Sequence, residues 1–316
     1  MQTRKLGNTD LQTAPLVFGG NVFGWTADEP TSFQLMDAFL AEGFNTIDTA
    51  DGYSRWVPGH KGGESETIMG NWMKQRGNRD KVVVATKVGT DMGQGKKDLS
   101  GKWILQAAED SLRRLQTDYI DLYQSHWDDG VTPVEETLEA YAQLVKQGKV
   151  RWIGASNIPP DRLTASLEAS KKNDWPIYQT LQPNYNLYDR ADYEKQYEPI
   201  AQKWNFGVIP YFSLASGFLA GKYRSEADLK DRARGAFVKK YLNDRGYRIL
   251  SALDEVAKDK NATQAQVAIA WLVARPSITA PIASATNIDQ LKQLVAATRL
   301  QLDAASIEKL NGASAY

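Results

Sequence analysis

Short apolar runs alternate with amphipathic stretches along almost the whole chain, and this alternation limits the folds available to it. Runs rich in Val, Ile, Leu and aromatic residues have the length and composition of strands buried on both faces. Eight such runs are predicted as strands, namely Ala14–Phe18, Asn45–Asp48, Val82–Lys87, Ile120–Ser125, Trp152–Ser156, Ile177–Pro183, Gly207–Phe212 and Thr279–Ala283.

The stretches between these runs repeat apolar residues at spacings of three and four, which is typical of surface helices. Ser100 and Pro133 stand at favourable helix starts, and Gly148 stands at a favourable end. The predicted helices cover Thr31–Glu42, Glu64–Lys74, Lys102–Leu115, Pro133–Gln147, Asp161–Lys171, Tyr193–Trp204 and Ile288–Ala297.

Strict alternation of strands and helices predicts a parallel sheet, and eight units favour a closed (β/α)8 TIM barrel over an open doubly wound sheet. No linker divides the 316 residues, so residues 1–316 are predicted to form a single α/β domain. Arg4–Leu11, with its Gly7-Asn8 turn signal, predicts a short N-terminal β-hairpin. The long interval before Thr279 predicts a loop and two helices, near Tyr247–Lys258 and Ala265–Ala274.

Composition excludes several classes of protein. The 38 basic residues balance 38 acidic ones, which argues against nucleic acid as a partner. Cysteine is absent and histidine occurs twice, so thiolate chemistry is excluded and no metal site is expected. No apolar stretch reaches the roughly 18 residues of a membrane span, and no signal peptide is visible. We therefore expect a cytoplasmic protein without a membrane partner.

Polar residues end three of the predicted strands, where a barrel enzyme places its site. Asp48, Lys87 and His126 each follow an apolar run, and Tyr53 lies in the loop after Asp48. A lysine ammonium beside a tyrosine is expected to lower the pKa of the phenol, which would make it a general acid. These side chains can protonate an oxygen but include no nucleophile that attacks carbon. Hydride from a nicotinamide cofactor would supply that second reactant.

The chain resembles the aldo-keto reductases over essentially its whole length, particularly the bacterial branch similar to potassium-channel β subunits. The resemblance is carried in order by Gly43–Tyr53, Ala85–Lys87, Tyr119–His126, Gly148–Asn157, Gln182–Asn186 and Ser213–Tyr223. It implies a catalytic tetrad of Asp48, Tyr53, Lys87 and His126. In that tetrad Tyr53 would be the acid, Lys87 and Asp48 would tune it, and His126 would orient the substrate.

The resemblance also implies contacts with a nicotinamide cofactor. Ser156, Asn157 and Gln182 match positions that hold the nicotinamide amide, and Tyr211 matches the aromatic residue that stacks on its ring. The loop around the pyrophosphate would be formed by Ser213, Leu214, Gly217, Leu219, Gly221 and Lys222, and the adenosine end by Ser284, Thr286 and Gln290. Further cofactor contacts are expected from the strand-end residues Gly20, Asn21, Asp48 and Phe212.

Coenzyme choice is the point on which the sequence departs from the family pattern. Asn287 is neutral where relatives often carry a cation for the 2′-phosphate. Arg232 or Arg234 could supply that charge, because a guanidinium binds phosphate with two parallel hydrogen bonds. We predict NADP (NADPH) as cofactor with a contact from Arg234, and NAD stays open.

Trp25, Trp56 and Trp127 fall just past strand ends and are predicted to line the substrate pocket with Tyr53 and His126. The substrate would be a small-molecule carbonyl compound, an aldehyde or a ketone. A glycosidase barrel would need two facing carboxylates, and only Asp48 is well placed. A nucleotide-sensing regulatory subunit with slow turnover would keep the same tetrad and remains an alternative. The sequence leaves the identity of the carbonyl substrate and the oligomeric state open.

Overall fold

Backbone hydrogen bonds between short buried strands organise the molecule. The structure, a computed structural model, describes residues 2–230 and 235–316, so the predicted contacts of Arg232 and Arg234 lie outside the described residues. The strands are β1 (Arg4–Lys5), β2 (Gln12–Thr13), β3 (Val17–Gly19), β4 (Thr46–Asp48), β5 (Val83–Val88), β6 (Ile120–Ser125), β7 (Val150–Ser156), β8 (Thr180–Gln182), β9 (Gly207–Val208) and β10 (Ile282–Ala283).

Helices follow the strands of the sheet as the sequence pattern predicts. They are α1 (Glu29–Ala41), α2 (Glu64–Arg76), α3 (Gly101–Leu115), α4 (Val134–Lys146), α5 (Pro160–Asn173), α6 (Glu198–Trp204), α7 (Gly235–Val238), α8 (Asp244–Asp259), α9 (Gln264–Val273), α10 (Ile288–Ala297) and α11 (Ala304–Ala313). The sequence pattern did not indicate α11, although Asp303 caps it by accepting a hydrogen bond from the Ser306 amide at 2.8 Å.

In the described part of the chain, eight parallel strands lie in the order β10-β3-β4-β5-β6-β7-β8-β9. The amides of Thr279 and Ile282 donate to the carbonyls of Val208 and Pro210, both at 2.9 Å, and these bonds bring the two ends of the sheet together. The strand order with intervening helices confirms the predicted (β/α)8 barrel, and the antiparallel pair β1–β2 confirms the N-terminal hairpin.

Strands β3 and β4 are one or two residues shorter than predicted, whereas β8, β9 and β10 are three or four residues shorter and α6 begins five residues later. Proline explains the larger differences because it has no amide hydrogen to donate. Pro183, Pro210 and Pro281 lie within the predicted runs and interrupt the regular ladder at β8, β9 and β10. Pro199 lies in the first turn of α6, and the preceding residues Tyr193–Tyr197 form a wider π-helical turn.

The hairpin covers the amino-terminal end of the barrel. Leu6 and Leu11 are buried against Val17, Val83 and other residues that fill the barrel interior. Gly7 has φ +63°, and a Cβ there would lie 2.2 Å from the carbonyl oxygen of Gln179. This end is therefore filled with apolar side chains, and the polar strand ends lie at the opposite, carboxyl-terminal end. No helix among the described residues is long and apolar enough to cross a membrane.

Candidate active site

A buried ammonium group links three elements at the carboxyl end of the barrel. The Lys87 side chain at the end of β5 is fully buried, and its Nζ donates hydrogen bonds to three oxygens. The acceptors are Asp48 Oδ2 at 2.6 Å, the Thr49 carbonyl at 2.7 Å and the Tyr53 hydroxyl at 2.8 Å. Burial lowers the pKa of Lys87, and the Asp48 carboxylate opposes that effect. Each of the three ammonium hydrogens therefore has an acceptor.

The other oxygen of Asp48 is held by two glutamines. Gln182 Nε2 donates to Asp48 Oδ1 at 2.8 Å, and Gln124 Nε2 lies 3.4 Å from the same oxygen. Both glutamines are buried, on β8 and β6. Gln124 was not singled out in the sequence, although an amide side chain inside a buried apolar strand is the signal that could have revealed it.

The Tyr53 hydroxyl accepts from Lys87 and donates to Asp48 Oδ2 at 3.2 Å. Burial, and then the Asp48 carboxylate, raise the pKa of Tyr53 well above its ordinary value. This corrects the expectation that Lys87 lowers that pKa, because the cost of burying a phenolate outweighs the attraction of the nearby cation. Tyr53 consequently holds its proton through the neutral pH range.

His126 follows β6 and lies beside Tyr53, with their ring centroids 5.9 Å apart. Its Nδ1 lies 2.9 Å from the hydroxyl oxygen of Thr90. Burial, with the positive charges of Lys87 and Lys97, lowers the pKa of His126 well below its ordinary value. The imidazole is therefore neutral near pH 7. Thr90 contacts Nδ1 and leaves Nε2 as the other ring nitrogen.

A cavity of about 1130 Å³ opens above these groups. Asp48, Tyr53 and His126 line it, while Lys87 lies buried beneath it. Predicted cofactor residues that line the same cavity are Asn21, Ser156, Asn157, Gln182, Tyr211, Phe212, Ser213, Leu214, Gly217, Lys222, Ser284, Thr286 and Gln290. The folded chain thus brings most of the predicted site into one continuous space.

The residues predicted to contact a nicotinamide hold one another in place. Asn157 donates to the His126 carbonyl at 2.8 Å and accepts from the Tyr211 hydroxyl at 2.8 Å. The Ser156 hydroxyl donates to the carbonyl of Gln182 at 2.9 Å. Asn157 adopts φ +47°, which an asparagine tolerates better than most residues. The carboxyl ends of four strands, β6, β7, β8 and β9, are therefore linked to one another.

The loop after β9 contains several residues in the left-handed region. Phe212, Ala215, Ser216 and Gly217 have φ values of 54°, 48°, 58° and 97°. Three successive left-handed residues turn the chain sharply, and the turn is held by the Ala215 amide, which donates to the Phe212 carbonyl at 2.7 Å, and the Gly217 amide, which donates to the Leu214 carbonyl at 2.8 Å. The turn places Ser216 and Gly217 at the wall of the cavity.

Other predicted residues lie behind the cavity wall. Leu219 is fully buried in the hydrophobic core, and a Cβ at Gly221 would lie 2.0 Å from the Gln264 side chain. A Cβ at Gly20 would lie 2.9 Å from the Asp48 carbonyl oxygen. Contacts between these residues and a cofactor stay predictions, as does the contact of Arg234, which lies outside the described residues.

The far end of the cavity is formed by β10 and the start of α10. The Ser284 hydroxyl bonds to the Asn21 side chain at 2.6 Å, and Gln290 Oε1 accepts from the Thr286 amide at 2.9 Å. Asn287 caps α10 by accepting from the Gln290 amide at 2.9 Å. The neutral side chain at position 287 therefore acts as a helix cap.

Aromatic side chains form the wall near Tyr53. Trp56 and Trp127 line the cavity, whereas Trp25 packs edge-on against Trp56 with centroids 5.5 Å apart. Arg55 also lines the cavity and faces Asp91 at 3.5 Å. The space beside the Tyr53 hydroxyl is thus largely aromatic, and the Arg55 guanidinium lies at its wall.

Comparison with known proteins assigns the chain to a family. The model of the Aldo/keto reductase family matches residues 15–315. The chain belongs to the aldo/keto reductases. Among its relatives, "Uncharacterized oxidoreductase YrpG" of Bacillus subtilis (strain 168) is 35% identical over 98% of this chain and 95% of its own length. "Aldo-keto reductase YhdN" of the same organism is 33% identical over 98% of this chain and 93% of its own length.

A plant relative has a similar level of sequence identity. The "Probable voltage-gated potassium channel subunit beta" of Oryza sativa subsp. japonica is 32% identical over 92% of this chain and 89% of its own length. These findings confirm the resemblance inferred from the sequence motifs, and this aldo/keto reductase is an oxidoreductase.

Nicotinamide cofactors are general in aldo/keto reductases, and the residues present fit one. The cavity exceeds the roughly 300–1,000 Å³ of ordinary small-molecule pockets, so it can hold a dinucleotide and part of a substrate. Lys222 lines the cavity beside Gly217 and supplies a positive charge for the anionic part of a dinucleotide. The neutral polar side chains of Ser156, Asn157 and Gln182 lie at the other end of the same space.

Some cavity residues of this aldo/keto reductase were not indicated as site residues by the sequence. Thr90 and Arg55 lie in the loops that follow Lys87 and Tyr53, and Ser216 and Ala265 lie on the far wall. Thr90 could have been noticed by its place three residues after Lys87, in the same strand-to-helix loop. Arg55 and Ser216 had no signal because loop conformation turns them inward, and Ala265 reaches the wall because α9 packs against Ala215–Ala220.

Proposed function

We propose that this aldo/keto reductase is an NADPH-dependent oxidoreductase that reduces aldehydes or ketones to alcohols, with Tyr53 as general acid. The observation that carries the proposal is the bonding of Lys87 Nζ to both Asp48 Oδ2 and the Tyr53 hydroxyl at the base of the cavity. A phenol held between an ammonium and a carboxylate is a proton donor fixed in position.

The chain's own residues would position and protonate the carbonyl oxygen. The Tyr53 hydroxyl would turn its hydrogen from Asp48 to that oxygen, and the neutral His126 ring would donate a second hydrogen bond. As the oxygen gains negative charge it takes the proton of Tyr53, and the adjacent Lys87 ammonium stabilises the phenolate that forms. A bound NADPH supplies the hydride that makes the new C–H bond.

Cofactor binding would use both ends of the cavity. Ser156, Asn157 and Gln182 would hold the nicotinamide amide beside Tyr211, and the loop from Ser213 to Lys222 would hold the pyrophosphate. Ser284, Thr286 and Gln290 would contact the adenosine. Because Asn287 is occupied as a helix cap, we propose that Arg234 provides the positive charge that favours NADPH over NADH.

The substrate would be a small carbonyl compound with an apolar or aromatic body. Trp56 and Trp127 lie close to Tyr53, and the rings of Tyr53 and Trp56 are 6.1 Å apart. Aromatic walls favour a flat or apolar substituent on the carbonyl carbon. A cytoplasmic location and a single-domain organisation stay predictions from the sequence.

A second candidate function is a nucleotide-sensing subunit that turns over slowly. The 32% identity to a relative named as a probable channel subunit favours this alternative. Both functions need the same cofactor site, so the rate of steady-state turnover distinguishes them. We favour the enzyme because the proton donor, its partners and an accessible cavity are all present together.

Substitution of Tyr53 tests its proposed role as the general acid. In Tyr53→Phe the ring remains but the proton donor is lost, so we expect carbonyl reduction to fall by at least ~10²-fold while NADPH binding persists. NADPH oxidation with a panel of aldehydes and ketones gives the rate, and fluorescence quenching gives the affinity. Tyr247→Phe is the matched control, because Tyr247 is 41% exposed and lies on α8.

Near-normal kcat in the Tyr53 variant would disprove the assignment of the acid. Tight NADPH binding by the wild-type protein with no appreciable turnover on the whole panel would favour the sensing subunit instead.

A further inference from the structure

The hydroxyl group of Thr90 contacts one of the two ring nitrogens of His126. Its hydroxyl oxygen lies 2.9 Å from His126 Nδ1, and both residues line the cavity. A neutral imidazole carries one hydrogen, on either Nδ1 or Nε2, and the partner of one nitrogen decides which form prevails. The residue at position 90 can therefore control what His126 presents to a substrate.

The backbone around Thr90 fixes its place beside the ring. Gly89 has φ +113°, and a Cβ there would lie 3.0 Å from the Trp127 carbonyl oxygen. The Thr90 methyl group lies against Gly52, where an added Cβ would be 2.7 Å from it. Thr90 is thus held between the loop that carries Tyr53 and the loop that carries His126.

The His126 main chain is fixed independently of Thr90. Its amide donates to the Val88 carbonyl at 2.7 Å, and its carbonyl accepts from Asn157 at 2.8 Å. Its ring stacks on Trp127 with centroids 5.9 Å apart. Packing therefore sets the plane of the ring, and the hydroxyl of Thr90 acts on the position of the ring hydrogen.

We propose that Thr90 is a positioning residue whose hydroxyl donates its hydrogen to His126 Nδ1, which keeps the imidazole in the Nε2–H form that can donate to a carbonyl oxygen. This inference rests on the proposed carbonyl reduction for its consequence, but the state of the ring is a property of the free protein. The opposite form would present a lone pair to the substrate oxygen and repel it.

Two histidines in the whole chain make the ring state directly measurable. Protein labelled with 15N-histidine gives long-range 1H–15N correlations for His60 and His126, and His60→Gln assigns them. We expect His126 of the wild type to be neutral, with hydrogen on Nε2 and an accepting Nδ1. A wild-type spectrum with hydrogen on Nδ1 would overturn the proposal whether or not the protein reduces any carbonyl compound.

Two variants separate the hydroxyl from the methyl group. Thr90→Val keeps the shape and removes the donor, so the Nδ1 signal should move and the Nε2–H form should lose its predominance. Loss of one neutral hydrogen bond is expected to lower kcat/KM for the carbonyl substrate by about tenfold without changing NADPH affinity. Thr90→Ser keeps the hydroxyl and should restore both the spectrum and kcat/KM.

Thr164→Val is the matched control, since its hydroxyl donates to the Pro160 carbonyl on α5 at 2.8 Å. It should leave the His126 spectrum and kcat/KM unchanged. A Thr90→Val protein with the wild-type His126 spectrum, or a Thr90→Ser protein as impaired as Thr90→Val, would overturn the proposal. No carbonyl reduction by any form, with the expected His126 spectra, would contradict the proposed function and leave the ring assignment supported.

Discussion

At the scale of single residues, Asp51 is a buried carboxyl group that the proposed chemistry does not use. Neither of its carboxyl oxygens has a hydrogen-bond partner within the part of the chain that the structure describes. Burial, together with the nearby Glu66 carboxylate, raises the pKa of Asp51 to about 8. Glu66 is itself held by Arg114 at 2.7 Å and Thr86 at 2.5 Å. Asp51 is therefore neutral at pH 7.

This raised pKa makes the stability of the protein depend on pH. An unfolded Asp titrates near pH ~3.9, so between about pH 4 and pH 8 the folded protein keeps a proton that the unfolded chain has lost. The free energy of unfolding consequently falls as pH rises through this window, by at most about 1.4 kcal/mol per pH unit. The full contribution is present below pH ~4 and is lost at pH 8.

Asp51→Asn should remove this pH dependence, because the amide resembles the neutral acid and does not ionise. We expect the stability of the variant relative to wild type to increase steadily from pH 5 to pH 8. Urea unfolding at several pH values measures the difference. Asp118→Asn, at an exposed position, controls for the loss of one charge. Parallel pH profiles for the Asp51 variant and wild type would show that Asp51 is already ionised in the folded state.

At the scale of elements, helix α2 depends on a glycine where it crosses α3. A Cβ at Gly70 would lie 2.2 Å from the Arg114 carbonyl oxygen and 2.8 Å from the Leu115 carbonyl carbon. Both of these atoms belong to backbone, so the helices would have to separate to admit even one methyl group. Gly312, in the last turn of α11, has nothing within 4 Å of its Cβ position.

These two helical glycines give opposite expectations for the same substitution. Gly70→Ala should lower the free energy of unfolding by about 1–3 kcal/mol through overpacking. Gly312→Ala should raise it by about 0.5–1 kcal/mol, since alanine loses less conformational entropy in a helix. Denaturant unfolding of both variants measures the two changes. Equal effects of the two substitutions would contradict the close approach of α2 and α3.

At the scale of the whole molecule, the cavity is built by residues from distant parts of the chain. Asn21 follows β3, Tyr53 follows β4, and Gln290 lies on α10. A cofactor that spans this space contacts the folded barrel and has no equivalent site in the unfolded chain. Ligand at a hundredfold of its dissociation constant would therefore stabilise the fold by about 2.7 kcal/mol.

Coenzyme preference should appear in both stability and affinity. We expect NADPH to raise Tm more than NADH at equal concentration, and Arg234→Ala to abolish most of that difference. One charge-assisted bond to phosphate is worth roughly 1.5–3 kcal/mol, or about ten- to a hundredfold in affinity. NADH binding should barely change in the variant.

Thermal unfolding and fluorescence titration with each coenzyme measure these effects. Arg248→Ala, at an exposed position of α8, is the control. An Arg234→Ala protein that keeps the full preference for NADPH, or a wild type that prefers NADH, would refute the role of Arg234. Asn287 would then mark an enzyme that uses NAD or both coenzymes.

The sequence by itself determined the barrel and which polar groups lie at its rim. Alternating apolar runs and amphipathic stretches specify buried parallel strands and covering helices, because burial imposes a regular period on each. The carboxyl ends of parallel strands meet at one end of a barrel, so Asp48, Lys87 and His126 could be placed together before any contact was known.

Only the tertiary structure decided how these groups act on one another. The pKa of Tyr53 depends on the burial of its hydroxyl and on the position of Asp48, and neither distance nor burial can be read from spacing along the chain. The register of β6 brings Gln124 to Asp48, and the path of the loop after β5 brings Thr90 to His126. Electrostatic free energies and hydrogen bonds change over a few tenths of a nanometre. Periodicity locates an element along the chain, whereas packing in three dimensions sets the distances between its side chains and their neighbours.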